Sequence, residues 1–311
     1  MKFVLDAEQR MFGETLRGLL ADAGTAKTAR AWAAGDTGPG RALWSAVAEA
    51  GVFAVAVPEE FGGAGLLPVE LVVAVEELGR AAAPGPYVET LAAAELLGES
   101  PWLSRIAEGE AVVSLAVPHA LDADVADLVL TLDRVERKAG EPLASLDPAR
   151  RLFRVEGGAG FTDALRRGDS PAGADLGVLL CAAQQVGIGQ ALLDVSVEYA
   201  KTRQQFGRPI GEYQAIKHHL ASAMVELEFA RPLVYGAALS HGTPDFARDV
   251  SAAKVAASEA SYGLAKTALQ VHGAIGYTDE YDPSLWIRKA RALYSAWGSV
   301  AEHRARVVTA L

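Results

Sequence analysis

Residues 199–214 read YAKTRQQFGRPIGEYQ, and residues 270–277 read QVHGAIGY. The first run closes a long stretch, residues 175–202, whose apolar side chains fall on most sides of a helix. A helix apolar all round belongs in an interior. Arg203 falls where this helix gives way to a Gly/Pro turn. A guanidinium there can grip a phosphate through two parallel hydrogen bonds, or it can simply sit favourably at a helix C-terminus. Phe206 sets a flat apolar face beside it, and Gly207 lets the chain turn away. In the second run Gln270 and His272 close another helix, and Gly273 and Gly276 bracket a tight loop. Its N–H groups can meet an anion; a glycine cap beside a hydrogen-bonded histidine is the alternative.

Residues 213–241 form a second helical pattern, with Pro232 expected to kink it. Residues 246–272 form a third, stopped by Gly273. Residues 283–310 form a fourth, with Asp282 placed to cap it and Pro283 in its first turn. The WGS at 297–299 is a break that could approach a cofactor or be a helix irregularity. Four long helices with short connections predict an antiparallel bundle over residues 169–311.

Upstream, residues 1–108 predict an N-terminal helical domain. Met11, Phe12, Leu16, Leu19 and Leu20 share helical spacing, and Gly51 is placed to end a helix over 41–50. Pro58 and EEFGGAG forbid regular structure. A helix opens at Pro68, with Leu71, Val72, Val75 and Leu78 inward and Glu70, Glu76 and Glu77 outward. APGPY ends it, and residues 88–97 form the next helix. Between the helical regions, AVVSLAV, LVLTL and LFRVE are short β-prone runs. Three such strands are few for an independent domain, so residues 109–168 read as a reduced β-segment leaning on the helices. The fold class is mainly α.

The chain has 311 residues, half of them hydrophobic, and a net charge of −10. That balance argues against nucleic acid and anionic membranes as partners. One cysteine, Cys181, lies in an apolar run, so it reads as a buried small residue in a chain suited to a reducing cytoplasm. Neither a signal-peptide core nor a membrane span is expected, and no zinc-type Cys/His spacing is present.

YAKTRQQFGRPIGEYQAIKHHLA and LQVHGAIGYTDEYD are similar to two signatures of the acyl-CoA dehydrogenase family, in the family's order, with Arg203 and Gln270 67 positions apart. ALWSAVAEAGVFAVAVPEEFGGAG and EELGRAAAPGPY resemble that family's N-terminal domain. The resemblance implies FAD as cofactor and an acyl-CoA thioester as substrate, desaturated between its α and β carbons. It implies that the C-terminal bundle holds a neighbouring subunit's FAD. Carried over, Arg203 and Gln270 bind the pyrophosphate, and Gln205, Phe206, Ile210 and Tyr213 lie along the adenine-nucleotide portion. Gly273 and Ala274 supply close backbone, although Ala274 stands where glycine is typical.

The sequence also departs from the family. The family's base precedes a Gly-Thr/Ser pair, and here Trp297 precedes Gly298-Ser299. A minority places it at the start of the long helix, where Gly177 stands; Asp175 and Glu302 are the carboxylates near these positions. The catalytic residue is therefore unassigned. The family's two middle-domain flavin elements are absent. The resemblance thus implies a smaller subunit working with a full-length acyl-CoA dehydrogenase partner, as α2β2, on a bulky and possibly sterol-derived acyl-CoA. The alternatives are a self-sufficient homo-oligomer with a relocated base and a scaffold that binds no flavin.

Overall fold

A computed structural model describes residues 4–156 and 172–311. Its centre is a 31-residue helix, α7 (Ala172–Thr202), and the sequence explains why other helices come so close to it. A Cβ at Gly187 would lie 1.9 Å from the Glu76 carbonyl, and one at Gly79 would lie 2.2 Å from the Gln184 carbonyl. Only glycines let these two backbones cross at that separation. The helix crossed is α4 (Pro68–Arg80), which opens on Pro68 as the sequence predicts. Length and hydropathy alone would let α7 cross a membrane, but 89% of its apolar window is buried within the protein.

Four further helices precede or flank α4 in the N-terminal region: α1 (Ala7–Asp22), α2 (Thr25–Ala33), α3 (Gly38–Glu49) and α5 (Tyr87–Leu97). The short α6 (Trp102–Ala107) follows. Asp6 and Gln9 form a reciprocal capping box on α1. Gly51 takes φ +85° just beyond α3, as expected of a left-handed stop. Trp44, Phe53 and Tyr87 stack at its inner face, with centroids 4.5–6.1 Å apart. Glu76 and Glu77 do not face out as their spacing predicted. Both are buried, Glu76 against Arg231 of the C-terminal bundle and Glu77 at 2.6 Å from Arg17. Periodicity could not reveal that a later helix would cover that side with a matching cation.

The segment that follows is small and irregular. A parallel pair joins β1 (Val113–Leu115) to β3 (Leu128–Leu130). An antiparallel triplet orders β2 (Ala120–Leu121), β5 (Leu152–Phe153) and β4 (Pro142–Leu143). The three sequence runs contain β1, β3 and β5, whereas β2 and β4 are two-residue strands with no alternating pattern to read. Thr90 on α5 bonds both the N–H and the carbonyl of Val113, so the segment is tied to the helical core. The expected boundary between residues 168 and 169 lies outside the described residues.

The C-terminal region adds α8 (Gln214–Leu239), α9 (Phe246–His272), α10 (Pro283–Leu293) and α11 (Val300–Thr309). Pro232 lies inside α8. The single helix expected over 283–310 is two helices, because Trp297 and Gly298 both take positive φ. Asp282 does precede α10, but its carboxylate makes no cap; it pairs with Arg30 at 2.5 Å. Cys181 is fully buried, as read.

Candidate functional site

Two ends of the C-terminal region matter for chemistry. At the first, α7 stops at Thr202 and a two-strand hairpin follows, β6 (Gln204–Gln205) with β7 (Arg208–Pro209). Its turn residues Phe206 and Gly207 take φ +52° and +79°, the mirror-image turn that matches strand twist. The Phe206 ring is 93% exposed. Arg203 is exposed, and its side chain forms no hydrogen bond or ion pair among the described residues. Tyr213 enters α8 with its hydroxyl donating to the Gln205 carbonyl at 3.1 Å, and the Arg208 guanidinium lies 4.2 Å over its ring. Ile210 is half-buried in a short turn whose N–H donates to the Arg203 carbonyl.

Gln270 is exposed in the last turn of α9. Gly273 follows with φ +66° and ψ −145°, and a Cβ there would meet nothing within 4 Å. Ala274 is exposed in the next turn. His272 joins the two motifs. Its ring lies 4.3 Å from the Tyr199 ring, its Nε2 lies 3.4 Å from Ser196 Oγ, and its Nδ1 lies 2.9 Å from the Tyr281 hydroxyl. Burial pushes His272 down to about 4, so at neutral pH it is an uncharged fastener between α7 and α9. The structure thus brings both motifs to one end of the bundle, with their polar groups outward.

The second end lies around Trp297, and here carboxylates matter. Trp297 is 2% exposed, with φ +58°. A Cβ at Gly177 would lie 2.2 Å from its Cζ3, so the indole rests directly on the Gly177 backbone. The two positions considered for a base are therefore neighbours in space, and an indole fills the room between them. Its N–H donates to Glu89, a fully buried carboxyl on α5 whose pKa is raised by burial and opposed by Arg150. Its carbonyl lies 2.8 Å from His303 Nε2. Burial, with Lys254 nearby, takes His303 down to about 4.

Neither Asp175 nor Glu302 is placed to remove a proton. Asp175 is held by Arg306 at 2.6 and 2.9 Å, with both side chains buried. Glu302 closes the capping box of α11, accepting from Ser299 N at 2.9 Å. Sequence reasoning missed Glu89; a glutamate inside the apolar run YVETLAAAELL was the available signal. A groove of about 800 Å³ lies between α1, α4 and α8, and none of the motif residues lines it.

The acyl-CoA dehydrogenase N-terminal domain matches residues 6–110, and the acyl-CoA dehydrogenase C-terminal domain matches residues 174–311. The chain is 37% identical over 296 residues to acyl-CoA dehydrogenase IpdE2 of Mycobacterium tuberculosis, covering 91% of each chain. The chain belongs to the acyl-CoA dehydrogenase family. Its fold matches the ChsE4-ChsE5 complex of Mycobacterium tuberculosis with TM-score 0.81 at 22% identity, covering 99% of this chain and 98% of that one. It also matches the Tcur3481-Tcur3483 steroid ACAD G363A variant with TM-score 0.82 at 22% identity, covering 97% of each. Acyl-CoA dehydrogenases are oxidoreductases acting on acyl-CoA. At the exposed motif end of this member stand a guanidinium unpartnered among the described residues, an open glycine and a bare aromatic face, a set whose chemistry suits an anion joined to a flat ring. The end that would carry a base is filled.

Proposed function

We propose that this chain is the subunit without a base in a heteromeric, FAD-dependent acyl-CoA dehydrogenase, assembled as α2β2 with a full-length acyl-CoA dehydrogenase partner. The observation that carries this reading is Trp297 packed on Gly177: an indole cannot take a proton, and it occupies both base positions at once. FAD, when bound, accepts the hydride from the β-carbon of the acyl-CoA. This chain's part is to hold the nucleotide. Arg203 would neutralise and bond the pyrophosphate, Gln270 would donate to it, and the backbone at Gly273 and Ala274 would approach it closely. Gln205, Phe206, Ile210 and Tyr213 would line the adenine side, Phe206 offering the flat face on which a base stacks. The partner supplies the carboxylate that removes the α-proton, along with the flavin-ring pocket. The similarity in fold to a two-chain complex and to a steroid enzyme supports the two-chain, bulky-substrate parts of the reading.

The test is co-expression with a full-length homologue, followed by mass and flavin-to-protein ratio. A bidentate charged contact contributes about 1.5–3 kcal/mol, so Arg203→Ala should weaken FAD retention by roughly ten- to a hundredfold. Unchanged flavin content in that variant would favour a scaffold instead. A yellow, active oligomer made from this chain alone would sink the reading.

A further inference from the structure

A cavity of about 420 Å³ lies where the end of α1, the start of α2, the end of α4 and the start of α10 meet. Helix α2 opens into it on Gly24, at φ +60°, which brings no side chain to cap the helix. Lys27 and Thr28 donate their amides to the Gly24 carbonyl at 3.0 and 3.4 Å. The amides of Thr25 and Ala26 come before the first turn and have no carbonyl behind them in the helix. Both residues line the cavity. Open amides at a helix start favour an anion.

Thr25 gives an independent sign of a ligand. It is 7% exposed, it lines the cavity, and its hydroxyl makes no hydrogen bond among the described residues. A hydroxyl taken out of water without a partner is costly. The charges around it leave a positive remainder in a chain of net charge −10. Two carboxylates line the cavity, and each is already engaged: Glu77 by Arg17 at 2.6 Å and Asp282 by Arg30 at 2.5 Å. Arg80, also on the wall, pairs with Asp194 at 2.6 Å. Lys27 is on the wall too, and it has no ion pair among the described residues.

We propose that this cavity binds a phosphate monoester with a flat, apolar body. The phosphate rests on the amides of Thr25 and Ala26, accepts from the Thr25 hydroxyl and is neutralised by Lys27. The body lies against Trp286, which lines the cavity and whose N–H is already given to the Arg80 carbonyl at 2.8 Å. Leu20 and Ala21 add apolar wall. The volume is in the range of small-molecule pockets and more than a bare phosphate fills. Neither Arg203 nor Gln270 lines it, so the site is separate from the one assigned to the flavin nucleotide.

The experiment is calorimetric titration of the full chain carrying Arg203→Ala, so that the motif end does not compete, with phenyl phosphate and with inorganic phosphate. One saturable site per chain is expected, with phenyl phosphate the tighter of the two because its ring adds contact with Trp286. Lys27→Gln should weaken binding by about tenfold. Thr25→Val keeps shape and charge and should weaken it by about fivefold. Lys138→Gln, which removes the same charge at an exposed position off the cavity, should change nothing. No saturable binding of either probe, equal loss from Lys27→Gln and Lys138→Gln, or Thr25→Val binding like its parent overturns the proposal. None of these results bears on flavin retention, so the Arg203 test stands or falls on its own.

Discussion

Phe206 and Trp297 are both large aromatic residues held in left-handed backbone, at φ +52° and +58°. That conformation costs an L residue about 1–2 kcal/mol. Trp297 is 2% exposed and Phe206 93% exposed. At Trp297 the interior offsets the cost, through the Gly177 contact, the Glu89 hydrogen bond and His303 on the carbonyl. At Phe206 the chain offers only a hairpin turn and an edge-on contact with Tyr213 at 6.5 Å. One end of the bundle has been closed into the fold, while the other keeps a strained aromatic in the open. Strain without internal compensation is a mark of a surface built for something outside the chain.

The largest effect should come from the closed end. Trp297→Ala removes an indole from a packed interior and leaves a hole beside Gly177, at a cost of about 3–5 kcal/mol. Urea unfolding measures it. A loss under about 1 kcal/mol, at the low end of large-to-small core changes, would show that the indole is no plug.

Acid sharpens the comparison next. His272 fastens the open end and His303 the closed end, and burial lowers both to about 4. Unfolded histidine titrates near 6.5. The stabilisation from these neutral, buried rings is therefore complete above that value and lost as pH falls toward 4. Each proton contributes a slope of about 1.4 kcal/mol per pH unit. Asp122 acts in the opposite sense, because burial raises it to about 7 and its stabilisation fades as pH rises through that value. The comparison must therefore be parent against variant. His272→Gln and His303→Gln should each flatten the acid side of the urea-midpoint profile between pH 4.5 and 6.5; parallel curves would contradict both assignments.

The smallest effect has the opposite sign. Phe206→Gly relieves the left-handed strain on an exposed ring and should raise stability by about 1 kcal/mol. The same change should reduce FAD retention in the two-chain complex. A variant that is neither more stable nor poorer at holding flavin would remove the contrast between the two ends.

Much of this was legible along the chain. The ends of α3 and α9, the Pro68 start of α4 and the apolar α7 follow from glycine, proline and helical spacing, which act over a few residues. Arg203 and Gln270 stood out because each closes a helix beside a glycine. What failed to show were relations between distant segments. Glu76 and Glu77 looked solvent-facing because the cations that meet them, Arg231 and Arg17, lie on other helices. Asp175 gave no sign of being held because Arg306 is 131 positions away.

By itself, then, the sequence determined the helical content, the family and the polar residues of the open end, since local spacing and chemistry specify those. The tertiary structure alone decided that Trp297 lies on Gly177, that Glu89 is its buried partner, and that His272 draws the two motifs together. Each of these depends on long-range packing, where a side chain's role is set by what the fold places against it.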